Sequence, residues 1–106
     1  MPSDLVHTLS QLLYDKKAKN ILALDIRQSQ GMTDEVLIAE GFVEQHVRTL
    51  AKTIIEFLDK KGIKPAHIEG LKQGDWVVID CLNLVVHLFM PGLREHYQLE
   101  LLWPES

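Results

Sequence analysis

Trp76-Val77-Val78-Ile79-Asp80-Cys81-Leu82-Asn83-Leu84-Val85-Val86-His87-Leu88-Phe89 is the stretch that decides the fold of this chain. Two apolar runs rich in β-branched residues flank Leu82-Asn83, where Asn tolerates positive φ, and this is the pattern of a hairpin with a two-residue turn. The reading sets a register. Cys81 pairs with Leu84, so His87 lies opposite Val78. Trp76, Val78 and Asp80 then share one face with His87, with Val85 and Phe89 beside it. A hairpin also excludes an all-parallel sheet.

Upstream of the hairpin, His67-Ile68-Glu69 before Gly70 reads as a short strand, and the segment from Leu71 to Asp75 as a turn. Before these lies the clearest element of the chain. Val43, Val47, Leu50, Ala51, Ile54, Ile55 and Leu58 repeat at helical spacing over four turns. Glu44 suits the positive end of this helix and Lys60 and Lys61 its negative end, and Gly62 is placed as a left-handed cap.

Earlier still, Ile21-Leu22-Ala23-Leu24-Asp25-Ile26 is nearly continuous in apolar residues. Such a run predicts a strand covered on both faces, in the middle of a sheet. Polar residues 28–30 and Gly31 form a loop, and Val36-Leu37-Ile38-Ala39 gives the next strand, ending at Gly41. Leu5, Leu9, Leu12 and Leu13 form one helical stripe in a first helix from about Asp4 to Ala18, which Ser3 or Asp4 can cap. Downstream, Pro91-Gly92 closes the hairpin and Leu93–Leu102 reads as a short terminal helix. The expected order is α-β-β-α-β-β-β-α, an α/β (α+β) domain with a mixed sheet flanked by helices.

The 106 residues fit one domain, and 46% hydrophobic against 25% charged residues predicts a folded chain. No apolar run approaches the length of a membrane span, and the start lacks the blocks of a signal peptide. A single Cys81 cannot form an intrachain disulfide, which fits a reducing, cytoplasmic setting. The net charge of −4, with eleven Lys and Arg mixed among fifteen Asp and Glu, suits a basic protein partner better than a phosphate backbone. Lys16, Lys17 and Lys19 form the densest basic run. At the end of the first helix they would suit its negative dipole end.

The chemistry was tested class by class. Asp25, Asp34, Glu69 and Asp80 are the candidate acids, and Asp25 and Asp80 sit at strand ends, where a carboxylate commonly caps backbone N–H groups. Cys81 and His87 belong to one hairpin, but the register places His87 opposite Val78, which argues against a nucleophile and base. The five histidines, His7, His46, His67, His87 and His96, show no ligand spacing, and no metal or other cofactor is expected. No phosphate-binding loop, dinucleotide fingerprint or Gly-x-Ser-x-Gly occurs. Trp76 and Trp103 are either core residues or interface anchors.

In these motifs the chain resembles the ribosomal silencing factor family, also called the Iojap family, over nearly its whole length. The residues that carry the resemblance are Leu24-Asp25, Thr33-Asp34, Ile38-Ala39-Glu40-Gly41, Glu69-Gly70, Trp76 with Asp80, and Val86-His87-Leu88-Phe89. The closing series is Arg94, Tyr97, Leu99-Glu100 and Leu102-Trp103. The resemblance implies a fold similar to the nucleotidyltransferase topology, without that enzyme's Gly-Ser and Asp-x-Asp signature, and a role that is not enzymatic. It implies binding to the large ribosomal subunit through ribosomal protein fourteen of that subunit, steric exclusion of the small subunit, and lowered translation when nutrients are scarce. Organellar relatives imply a link to large-subunit assembly. Homodimers free of the ribosome are also implied, and neither a membrane nor a specific nucleic acid sequence is an expected partner.

Carried over residue by residue, the implied partner surface is the tryptophan strand, Trp76, Val77, Val78, Ile79 and Asp80. Leu82 at the turn and His87 and Phe89 on the adjoining strand complete it. The chain departs from the family pattern in three places. Glu35-Val36 replace aromatic residues, Phe42-Val43 replace the small polar residues that open the central helix, and Leu82-Asn83 replace a Gly-Asp turn.

Overall fold

The computed structural model describes residues 3–26 and 34–91. The loop expected at 28–31, Thr33, the terminal helix Leu93–Leu102 and the closing series from Arg94 to Trp103 lie outside the described residues. Within them, the elements are α1 (Asp4–Asp15), β1 (Lys19–Asp25), β2 (Glu35–Glu40), α2 (Glu44–Lys60), β3 (His67–Glu69), β4 (Trp76–Asp80) and β5 (Leu84–Phe89).

The five strands form one sheet in the order β1-β2-β5-β4-β3. β2 and β5 are parallel, and the other three neighbouring pairs are antiparallel. The sheet is mixed, as the hairpin requires. Cys81 N–H donates to the Leu84 carbonyl at 2.8 Å, and Val78 faces His87, so the register read from the sequence is the one observed.

α1 and α2 both pack on one face of the sheet. Leu37 and Ala39 of β2, Val77 and Ile79 of β4, and Leu84, Val86 and Leu88 of β5 point toward them and meet Leu9, Leu13, Val47, Leu50, Ile54 and Leu58. Burial of this apolar interface supplies most of the driving force, at roughly 25 cal/mol per Å² removed from water. The other face carries a second cluster of Leu24, Ile26, Val36, Ile38 and Phe89, with Leu22 and Trp76 packed against it.

The run at Ile21–Ile26 does not mark the middle of the sheet. β1 is an edge strand, and β5 is the middle one. Ala23 packs with the helix-side cluster and Leu24 with the other. A continuous apolar run reports that both faces are covered, which an edge strand can also satisfy.

Both helices end in the same way. At α2, Gly62 (φ +73°) donates to Asp59 and Ile63 donates to Leu58. At α1, Lys17 (φ +72°) donates to Tyr14 and Ala18 donates to Leu13. These are paired Schellman bonds, and the first helix stops three residues earlier than its apolar stripe suggests because Lys17 turns left-handed. The basic run therefore follows the helix, with no basic residue in its last turn. Ser3 Oγ caps α1 by accepting from Val6 N–H at 3.2 Å.

α2 lacks a side-chain N-cap at Val43. His46 takes over that work. Its Nδ1 accepts from Phe42 N–H at 2.9 Å, which leaves Nε2 to donate to the Lys16 carbonyl at 2.7 Å. The imidazole thus closes the start of α2 and ties it to the end of α1, so the Phe42-Val43 departure is accommodated by a cap of different construction. Among the described residues, no helix is long and apolar enough to cross a membrane.

Candidate partner-binding surface

The pleat divides the tryptophan strand. Val77 and Ile79 are fully buried against the helices. They are withdrawn from the candidate surface, because a side chain that holds the sheet to α2 cannot also meet a partner. Trp76, Val78 and Asp80 point to the opposite face and are partly exposed. Of the remaining candidates on β5, His87 is 5% exposed and Phe89 is fully buried. They form the backing of this surface and not its contact layer.

That backing is specific. Trp76 pairs with Phe89 across the strands, their rings 6.1 Å apart, and the Trp76 and His87 rings are also 6.1 Å apart. The indole Nε1–H donates to His87 Nδ1 at 3.1 Å. The indole N–H is satisfied inward, and the partly exposed ring becomes a fixed wall. Burial lowers the His87 pKa to about 4, so the imidazole is neutral and keeps Nδ1 free to accept.

Beside the wall, residues 70–75 form a turn held from three directions. Gly74 N–H donates to Gly70 O at 2.9 Å, and Met90 N–H donates to Asp75 O at 2.9 Å. Arg48, on α2, donates through Nη1 to the Lys72 carbonyl at 3.1 Å and the Gln73 carbonyl at 3.0 Å, while Gln45 Oε1 accepts from its Nε and Nη2. Gly70 has φ +83°, and a Cβ placed there would lie 1.9 Å from the Trp76 carbonyl oxygen. Only glycine lets the turn approach the strand so closely.

The turn and the wall enclose an open cleft of about 420 Å³, lined among the described residues by Glu69, Gly70, Gln73, Asp75, Trp76 and Val78. Its carboxylates are exposed. Glu69 Oε2 lies 2.8 Å from His67 Nε2, and Asp75 Oδ1 accepts from Trp76 N–H at 2.9 Å. Glu69 appeared among the sequence candidates as an acid. Asp75, Gly74 and Arg48 did not, although the Gly70 to Gly74-Asp75 spacing is a turn signal of the expected kind.

Leu82 stands apart from this cleft, at the opposite end of β4. It is 65% exposed and has φ +72°. The left-handed position of the turn is therefore Leu82 and not Asn83. Asn83 N–H donates to Cys81 O at 2.9 Å, which makes Leu82 the centre of a γ-turn with positive φ, the rarer and strained form. Asp80 Oδ1 accepts from Leu82 N–H at 2.8 Å, and the Asn83 carbonyl accepts from Asp34 and Glu35 at 3.0 Å each. These bonds hold a conformation that leucine itself disfavours.

The chemistry that a small enzyme would need is not assembled. Asp80 caps its own turn, and Asp25 lies three strands away on β1, roughly 14 Å at the usual strand spacing. Burial, and then Asp80, push the Cys81 thiol up from its ordinary pKa, the reverse of what an activated thiolate requires. Among the described residues, no three His, Cys, Asp or Glu side chains gather as metal ligands would.

A two-helix, five-stranded mixed sheet with one apolar, carboxylate-rimmed corner describes a small α/β binding domain. The profile described as "Ribosomal silencing factor during starvation" matches residues 2–106, and the chain belongs to that family. It is similar to the ribosomal silencing factor of Bacillus subtilis (strain 168), at 36% identity over 92 residues, covering 87% of this chain and 78% of that one. The fold is similar to a crystal structure of a Chromobacterium violaceum protein, with a TM-score of 0.88 and 29% identity, covering 100% of this chain and 89% of the other. A Mus musculus protein named "Mitochondrial assembly of ribosomal large subunit protein 1" is 28% identical over 101 residues, covering 92% of this chain and 44% of that protein.

Proposed function

We propose that this chain is a non-enzymatic repressor of translation. It binds the large ribosomal subunit through ribosomal protein fourteen of that subunit and excludes the small subunit by occupying its place, under nutrient limitation. The observation that carries the reading is the family match over residues 2–106. The rigid, partly exposed Trp76 wall on the helix-free face supports it, because indoles are enriched where proteins dock. Steric exclusion needs a placed surface and no reacting group, which agrees with the structural use of Asp80 and Cys81. The setting of this activity is the cytoplasm, with residues 1–106 acting as one domain. Away from the ribosome, exposed Phe42 or Leu82 would serve self-association into a homodimer.

Sucrose-gradient sedimentation with purified ribosomal subunits tests the proposal. The protein is expected to travel with the large subunit and to reduce joined ribosomes, and Trp76→Ala is expected to weaken both effects while the variant still melts cooperatively. Wild-type protein remaining at the top of the gradient would overturn the reading. A second reading, assistance to large-subunit assembly, is favoured by the name of the Mus musculus relative. Binding to precursor particles in preference to mature subunits would select it.

A further inference from the structure

We propose that the cleft between β3, the 70–75 turn and Trp76 is a slot for a single lysine or arginine side chain projecting from the protein partner. The inference rests on the docking reading above and gives that surface its recognition chemistry.

Three properties of the cleft converge on a long cationic side chain. Its wall is an indole, the aromatic group that attracts cations most strongly over its face. The Trp76 N–H is already engaged by His87, so the ring offers an incoming group its faces and edges and no donor. Two exposed carboxylates, Glu69 and Asp75, flank the wall and would receive the head group. Val78 lies beside Trp76 on the same face and is partly exposed, which suits the methylene stem that lysine and arginine lay along apolar surface.

The nearby cations do not fill the slot. Arg48 is held under the turn by the Lys72 and Gln73 carbonyls and by Gln45. His67 is paired edgewise with Glu69 along β3, and Lys72 is exposed on the turn. The geometry is also fixed in advance. Arg48 and Gly70 hold the turn against the strand, so little ordering remains to be done on binding. A nucleic acid is the wrong occupant, because two carboxylates at the rim repel phosphate. The overall charge of −4 favours approach of a basic protein surface.

Glu69→Gln with Asp75→Asn removes the charge and keeps the acceptor oxygens used by His67 and Trp76, so the fold is retained and is checked by thermal melting. Affinity for purified large subunits is measured for wild type and for this double variant, across a salt series. The double variant is expected to bind at least tenfold more weakly, with a shallower salt dependence, since a charge-assisted bond is about twice as strong as a neutral one. Equal affinity and equal salt slope would overturn the slot while leaving ribosome docking intact.

Should wild type itself fail to bind the subunit, the docking reading falls. The slot is then decided by nuclear magnetic resonance titration with N-acetyl-arginine amide against its neutral citrulline counterpart. Shifts at Gly70, Asp75 and the Trp76 indole with arginine alone, lost in the double variant, would uphold it. The same shifts with citrulline, or none with arginine, would end it.

Discussion

The Trp76 indole N–H donates to His87 Nδ1 at 3.1 Å from one strand to the next. This single bond fixes the ring orientation of one residue and the tautomer of the other, because Nδ1 can accept only when the proton sits on Nε2. It also links the exposed wall of the candidate surface to the protonation state of a buried base. A proton on Nδ1 would set two donors against each other and release the indole.

Stability should therefore fall in mild acid. Burial lowers the folded-state pKa of His87 to about 4 from the usual 6.5. Between these values the unfolded chain takes up a proton that the folded chain refuses. The contribution is fully present above about pH 6.5, is lost progressively as pH falls toward 4, and changes no further below that. At pH 5 the expected loss is about 2 kcal/mol relative to pH 7.5, at 1.36 kcal/mol per unit. Denaturant unfolding at both pH values checks it, with His87→Gln as the control. An equal pH dependence in the two proteins would show that His87 does not carry the effect.

Gly70 should be among the least replaceable residues outside the core. A Cβ there would lie 1.9 Å from a backbone oxygen, which cannot swing aside as a side chain can, and φ is +83°. Gly70→Ala is expected to cost roughly 3 kcal/mol or more, the range of severe backbone strain. Thermal unfolding gives the magnitude, and the Trp76 indole resonance reports whether the wall has moved. A variant with wild-type stability would mean that the turn and β4 can separate freely.

Lys17 occupies the left-handed position that closes α1, at φ +72°. A lysine there carries the steric penalty of that conformation. Lys17→Gly should remove the penalty while the Schellman bonds to Leu13 and Tyr14 remain. Added chain entropy in the unfolded state offsets part of the gain, so the net stabilisation is expected to be about 0.5–1 kcal/mol. A rise of a few degrees in Tm with unchanged ribosome binding is the outcome to look for. A fall in Tm would place the loss of the lysine side chain above the relief of strain.

What the sequence made legible follows from local physics. Alternation and turn chemistry gave the hairpin and its register down to Val78 facing His87. Helical spacing gave α2 with its Gly62 cap. Alternation separated Trp76, Val78 and Asp80 from Val77 and Ile79, and the polar Asp80 in the first set was a usable sign of the outward face. It did not establish which set α2 covers, since that is a tertiary fact.

Three further features were hidden for the same reason. The edge position of β1 depends on its neighbours in the sheet, and a run covered on both faces does not name them. The positive φ at Leu82 is imposed by Asp80 and by the bonds from Asp34 and Glu35 to Asn83. Arg48 reaches the turn at Lys72 and Gln73 across 24 and 25 residues of chain. Local pattern reading has no access to such contacts.

Leu82 allows folding and binding to be separated in a single residue. It is a large apolar side chain, 65% exposed, at the centre of a γ-turn with φ +72°. Glycine adopts that conformation without penalty, so Leu82→Gly is expected to raise stability by about 1 kcal/mol if the exposed side chain contributes nothing to the fold. The same change removes the only large apolar group that the tip presents. If the tip touches the ribosomal partner, affinity for the large subunit falls while Tm rises. Unchanged affinity would confine docking to the Trp76 end of β4, because the length of the strand separates the two. Leu82→Ala completes the comparison, keeping the strain and removing most of the apolar contact. It should weaken binding as glycine does without the gain in Tm. Parallel melting curves and sedimentation of the three proteins with large subunits would settle both questions in one experiment.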